Sequence, residues 1–252
     1  MCATCGCAGD DAVVHAAADA NDHDHDHPHP YVVPTGDART VQLQQKVLAK
    51  NDEIAARNRD HLGERGVRML NLMSSPGAGK TTLLERTARA LAGELEIAVI
   101  EGDQETELDA NRISAAGCRV VQINTGAGCH LDAAMVARGL DELDPAADSA
   151  VIIENVGNLV CPALFDLGEA HRVVLSAVTE GADKPMKYPH MFRQADLVLL
   201  TKVDLLPFIE LDTSRYAADL AGVSPDALLI HLSAVSGEGM NAWLDWLTAA
   251  AI

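Results

Sequence analysis

From Val67 onward the chain alternates short apolar runs with longer stretches of helical character. The runs are VRMLNLM, EIAVIEG, RVVQIN, AVIIEN, RVVLSAVT, DLVLLT and ALLIHLS. Each is rich in Val, Ile and Leu and apolar on both faces, the pattern of a strand buried in a helix-covered, largely parallel sheet. Their alternation with helices predicts a doubly wound α/β domain of about seven strands over residues 67–252. Ligands of such sheets sit beyond the carboxyl ends of the strands, so chemistry is sought in the residues just after each run.

Upstream, ARTVQLQQKVLAKNDEIAARNRDH has good helix formers, apolar positions at Val47, Leu48, Ile54 and Ala55, and the stop signals Gly63 and Gly66. It predicts a lead-in helix within 37–66. Residues 1–36 are rich in Cys, Asp, His and small residues and have no apolar stripe to bury, so they are predicted to be a tail that is disordered without a ligand.

Composition narrows the function. The formal charge of −18 disfavours phosphate backbones and anionic lipid, so neither nucleic acid nor a membrane surface is expected as the main partner. No apolar run approaches the roughly 20 residues of a membrane span, and the start lacks the regions of a signal peptide, which predicts a cytoplasmic protein. In that reducing compartment the six cysteines read as metal ligands, reactive thiols or small core residues rather than as disulfides.

After the first run comes SSPGAGKTT, Ser74 to Thr82, followed by a helical stretch. Gly77, Ala78, Gly79, Lys80, Thr81 and Thr82 match a phosphate-binding loop. Small residues let backbone N–H groups curl around phosphates, Lys80 reaches the outer ones, and the Thr81 hydroxyl ligates magnesium. Ser74 replaces the usual first glycine. LLTKVD places Thr201, Lys202 and Asp204 at a later strand end, similar to the guanine-reading motif of GTPases. There a carboxylate accepts from the ring N–H and the exocyclic amine, a donor pair that adenine lacks. Asn is more usual where Thr201 stands, which puts the loop-bracing contact of that position in question. Ser233 and Ala234 look like the companion loop that packs on the base. Asp103 follows the second run, where it can hold magnesium through water or orient the attacking water. Glu154, with Gly157, sits where such NTPases sense the third phosphate. Lys80, Asp103 and Glu154 are therefore the candidate catalytic residues, with Thr81 and Asp103 as candidate magnesium ligands. Arg112 is a weaker candidate for a charge acting on the phosphates.

Two further groups point to softer metals. Cys2, Cys5 and Cys7, in C-x-x-C-x-C, can wrap one ion, with nickel or zinc not separable by spacing. His15, His23, His25, His27 and His29 add weak chelating capacity. Cys129 and His130 follow the third run and Cys161 follows Glu154; these strand ends can lie near each other on the nucleotide face and so assemble the three into one site. Cys118 reads as packing.

Together these residues resemble the HypB family of nickel-incorporation GTPases, maturation factors of nickel-iron hydrogenase. The resemblance is carried by MCATCGC, the His tract, SSPGAGKTT, EGDQETELDANRI, TGAGCHLDA, ENVGNLVCP, TEGADKPMKYP, LLTKVDLL and SAVSGEG. It implies a GTP-dependent homodimer and a sheet like that of the dimerising GTPases that include the signal-recognition particle; slow GTP hydrolysis is expected because the sequence shows no obvious arginine finger. It also implies a tight nickel site on Cys2, Cys5 and Cys7 and a weaker nickel or zinc site on Cys129, His130 and Cys161. A companion nickel and zinc metallochaperone and a hydrogenase large-subunit precursor are the partners it implies. Many relatives outside the family carry an extra lysine where Ser75 stands, so Lys184 or Lys187 is expected to supply that charge in the dimer. A urease-type nickel GTPase and a nickel or zinc storage protein on a GTPase scaffold are the competing readings.

Overall fold

The computed structural model describes residues 38–103, 108–126 and 128–251. The tail, with Cys2, Cys5, Cys7 and the His tract, lies outside the described residues. The chain divides into two compact units, Met1–Val47 and Leu48–Ile252. The first contributes only the early part of helix α1 (Ala38–Glu64) to the described residues.

The second unit is a seven-stranded parallel sheet covered by helices on both faces. Its strands are β1 (Arg68–Ser74), β2 (Ile97–Asp103), β3 (Arg119–Asn124), β4 (Ala150–Glu154), β5 (His171–Ala177), β6 (Leu197–Thr201) and β7 (Leu228–His231). Each lies within one residue of an apolar run named above. The helices after α1 are α2 (Lys80–Ala90), α3 (Leu108–Ala115), α4 (Ala133–Leu143), α5 (Lys184–Lys187), α6 (Pro189–Arg193), α7 (Thr213–Val223) and α8 (Met240–Ala251). Spatial order is β3-β2-β4-β1-β5-β6-β7. The chain thus works outward from β1 on one side, returns through β4, and then builds the other side from β5. The order reverses at β1 and β4, and a ligand crevice is expected beyond their carboxyl ends.

Alternation along the strands explains why both faces are covered. Ile152 of β4 packs with Leu83 and Leu84 of α2, Ile113 of α3 and Trp243 of α8. Its neighbours Val151 and Ile153 face the opposite way, toward Leu62 of α1 and Val136 and Leu140 of α4. A third cluster joins β5 and β6 to Met191 and Phe192 of α6 and Tyr216 of α7. Trp243 is fully buried, and its indole N–H donates to Thr87 Oγ1 at 2.8 Å, so its polar edge keeps a partner in the core.

Helix α1 occupies the expected lead-in segment 37–66, and from Leu48 onward it belongs to the second unit. The reason is the face that α1 buries. Leu48, Asn51, Ala55, Asn58 and Leu62 recur at helical spacing, and two of the five are asparagines. Asn51 donates to Asp166 O at 2.7 Å and accepts from the Ala133 N–H at 2.9 Å. Asn58 Nδ2 lies 3.0 Å from both Ala133 O and Leu167 O. Buried amides with all these partners carry no desolvation debt, so a polar residue stands where the period calls for an apolar one. Among the described residues, no helix is long and apolar enough to cross a membrane.

Candidate nucleotide and metal site

The loop between β1 and α2 is shaped for an anion. Gly79 has φ +100°, a region that side chains other than glycine rarely adopt, and it leads directly into α2. The first N–H groups of that helix, with its dipole, face a cleft of about 510 Å³ lined on one side by Gly77, Lys80, Thr81 and Thr82. Lys80 is buried, which lowers its pKa against the raising influence of Glu154, and its Nζ lies 3.0 Å from Ser74 Oγ. The serine at the position of the usual first glycine therefore holds the lysine. Thr81 Oγ1 donates to Glu154 Oε1 at 2.8 Å.

The far wall of the cleft is acidic. Glu154 ends β4 directly beside Glu101 on β2, and Asp103 lies two residues further along β2. Glu101 Oε2 and Glu154 Oε2 are both buried without a hydrogen-bond partner. Burial, reinforced by Glu154, raises Glu101 to about 8. Burial raises Glu154 to about 7, with Lys80 and the Thr81 hydroxyl pulling the other way. A hydroxyl, orphaned carboxylate oxygens and Asp103 are hard oxygen donors and fit magnesium. Glu101 was not anticipated. Its only signal in the sequence is a charge inside the apolar run that leads to Asp103. Arg112 borders the same cleft, bonded to Thr82 Oγ1, Glu85 and Asp109.

A second pocket, about 230 Å³, adjoins this cleft at Gly79, Thr82 and Lys202 and is bordered by Thr201, Asp204, Ser233 and Ala234. Thr201 Oγ1 donates to Ala78 O at 2.8 Å, so threonine makes the bracing contact that its departure from Asn put in question. Lys202 adopts φ +62°, uncommon for a lysine, and its Nζ reaches Gly77 O at 2.6 Å across the phosphate loop. Asp204 keeps a buried, unpartnered Oδ1 in this pocket. Ser233 Oγ accepts from the N–H groups of Val235 and Ser236, which curls the companion loop. Arg86, on α2, fastens that loop by donating to Ala234 O and Val235 O at 2.6 Å each. No sequence pattern flags Arg86, because its partners lie almost 150 residues away.

The three residues expected to meet beyond β3 and β4 do meet. One ligand atom from each of Cys129, His130 and Cys161 lies within 4.8 Å of the others. Asp132 caps α4 by accepting from the Met135 N–H at 2.7 Å, which fixes the chain just past His130. The His130 ring stacks on Phe165 with centroids 4.1 Å apart, and burial lowers its pKa, favouring the neutral imidazole that binds metals. Asn158 Nδ2 donates to Cys129 O at 3.2 Å. Cys118 packs in the core, where burial pushes its thiol up, in line with its reading as packing.

The two lysines expected near a nucleotide differ sharply. Lys184 is buried, 2.7 Å from Ser75 Oγ and 2.5 Å from Glu180 Oε1, so it reaches the phosphate loop of its own chain. Lys187 is exposed and pairs with Asp183 at 2.8 Å.

A family model described as CobW/HypB/UreG, nucleotide-binding domain, matches residues 68–230. The hydrogenase maturation factor HypB of Rhizobium leguminosarum bv. viciae is 54% identical over 213 residues, covering 84% of this chain and 71% of that one. The chain belongs to the HypB family. It is thereby a P-loop GTPase related to hydrogenase maturation factors. The hydrogenase/urease maturation factor HypB of Helicobacter pylori (strain 26695) is 38% identical over 218 residues, covering 85% and 89% of the two chains. A crystal structure of HypB from Helicobacter pylori in complex with nickel matches with a TM-score of 0.76 at 37% identity, covering 80% of this chain and 95% of that one. The HypB family assignment agrees with the parallel sheet and the phosphate loop described above.

Proposed function

We propose that this HypB-family GTPase is a nickel metallochaperone that uses GTP binding and hydrolysis to deliver nickel during maturation of nickel-iron hydrogenase. One observation carries the reading: Cys161 lies on the segment that runs on from Glu154–Gly157 at the wall of the nucleotide cleft, and Cys129 and His130, after β3, gather with it. The nickel-bound relative supports the choice of cargo. Thiolates and a neutral imidazole suit nickel and also zinc.

The reaction is GTP plus water to GDP plus phosphate. Loop N–H groups and Lys80 hold the outer phosphates, and Asp204 selects guanine through the carboxylate oxygen that lacks a partner. Thr81 and Asp103 would hold magnesium, which neutralises charge on the phosphate oxygens. Glu154 and Gly157 border the third phosphate. Ser75 and Lys184 add a cation to the same loop, and Arg112 is the other basic group at the cleft. Slow turnover suits a switch, in which hydrolysis changes the metal set and releases nickel. The tail ligands Cys2, Cys5 and Cys7 would load it. By resemblance the chain works as a GTP-dependent homodimer in the cytoplasm, with a companion metallochaperone and the hydrogenase large-subunit precursor.

Nickel release from the loaded full chain tests this reading. Adding GTP and magnesium should accelerate transfer to a chelator in the wild type and leave Lys80→Ala at its basal rate. Equal transfer from both proteins would favour storage on a GTPase scaffold instead.

A further inference from the structure

Gly157 packs against the phosphate loop so closely that a Cβ there would come within 2.9 Å of Pro76 Cα. Gly157 therefore rests directly on the phosphate loop at Pro76. The next residue uses both ends of its side-chain amide. Asn158 Nδ2 donates to Cys129 O at 3.2 Å, and Asn158 Oδ1 accepts from the Val160 N–H at 2.9 Å, one residue ahead of Cys161. A single planar amide thus ties both cysteine-bearing segments to the glycine that rests on the phosphate loop.

We propose that Asn158 is the positioning residue that transmits nucleotide state to the Cys129, His130 and Cys161 set; this rests on the nickel reading above. Both of these hydrogen bonds are with backbone. The side chain is short and flat, so a shift at Gly157 must move the Cys129 carbonyl and the Val160 N–H or break one of the two hydrogen bonds. Loss of one such hydrogen bond is worth roughly a factor of 5–10. A plain loop staple would weaken nickel binding alike in both nucleotide states. A transmitter changes the ratio between the states.

The test is a nickel titration by calorimetry on the full chain, anaerobic and reduced, with GDP and with a non-hydrolysable GTP analogue. A Cys129→Ala, Cys161→Ala double variant defines what the tail contributes. The wild type should show inner-site nickel affinities that differ between the two states by about fivefold or more. In Asn158→Ala the ratio should fall to within about twofold of one. Asn158→Asp keeps the shape and the acceptor for Val160 but loses the donor to Cys129, and its ratio should collapse as well. GDP affinity measured without nickel reports that each variant is folded. A variant that keeps the wild-type ratio, even with weaker nickel binding in both states, overturns the role of Asn158 alone. A wild-type ratio of one removes the nucleotide-coupled reading and the role of Asn158 with it.

Discussion

The two ends of the central sheet treat buried carboxylates in opposite ways. Near the amino end of β5, Glu169 Oε1 accepts from Arg172 Nε at 2.6 Å and from Asn71 Nδ2 at 3.3 Å, while its Oε2 accepts from the Leu167 N–H at 2.7 Å. Asp166 nearby pairs with Arg59 at 2.8 Å; although burial opposes it, that hydrogen bond draws the carboxyl below its usual range. At the carboxyl end, Glu101, Glu154 and Asp204 each retain a buried oxygen with no partner, and no other carboxylate among the described residues does so. The first end is a finished network that ties the sheet to α1. The second is complete only with a cation or a hydrogen-bond donor in the cleft, and orphaned polar groups of that kind mark a ligand site rather than a source of cohesion.

Substitutions should therefore separate function from stability by end. The largest effect is expected at Lys80: Lys80→Ala should cut GTP turnover by roughly 1000-fold, as removal of a charge-stabilising group from the transition state does, with little change in melting temperature. Phosphate-release kinetics beside thermal unfolding will decide it. Glu169→Ala should do the reverse, losing about 3 kcal/mol of folding stability because it removes the buried carboxylate that partly buried Arg172, Asn71 and the Leu167 N–H all share, while GTP affinity at low temperature is kept. Denaturant unfolding checks this, and a loss of GTP affinity without a loss of stability would erase the contrast. Asp204→Ala should weaken GTP binding by about 50-fold and ATP binding hardly at all, since a pair of charge-assisted hydrogen bonds is lost only with guanine. Competition binding with the two nucleotides reads that difference.

Smaller effects sharpen the same comparison. Glu101 ionises near 4.5 in the unfolded chain and near 8 in the nucleotide-free fold. Between those values the folded state binds more protons, so stability is lost as pH rises through that window. Glu101→Gln removes this slope. It should melt several degrees above the wild type at pH 9 and close to it at pH 4. Parallel pH profiles of the two proteins would count against the raised carboxyl. Smallest of all, Thr201→Val deletes the brace on Ala78 and should weaken GTP binding by about fivefold, the value of one hydrogen bond.

Much of this was legible because it repeats or because its spacing is strict. All seven strands announce themselves as runs apolar on both faces, and the phosphate loop and base motif depend on local order along the chain. What stayed hidden depends on distant partners. Asn51 and Asn58 look like surface residues, yet they fill core positions because Ala133, Asp166 and Leu167 satisfy their amides. By contrast Ile54 is only partly buried and Val47 is exposed, although both are apolar. Lys184 could be connected to the phosphates from its motif, but only the fold shows that it meets Ser75 of its own loop. Glu101 sits in a strand with no spacing signature, and its meaning comes from lying beside Glu154.

The central claim is that nucleotide and nickel report on one another through neighbouring strand ends. Linkage makes that claim two-sided: if a GTP analogue changes nickel affinity by some factor relative to the nucleotide-free chain, nickel must change the affinity for that analogue by the same factor. The most direct measurement is the affinity of the full chain for a non-hydrolysable GTP analogue with and without nickel, beside the Cys129→Ala, Cys161→Ala double variant. The account predicts a nickel-dependent shift of about fivefold or more in the wild type and none in the variant. Identical affinities with and without nickel in the wild type would contradict it.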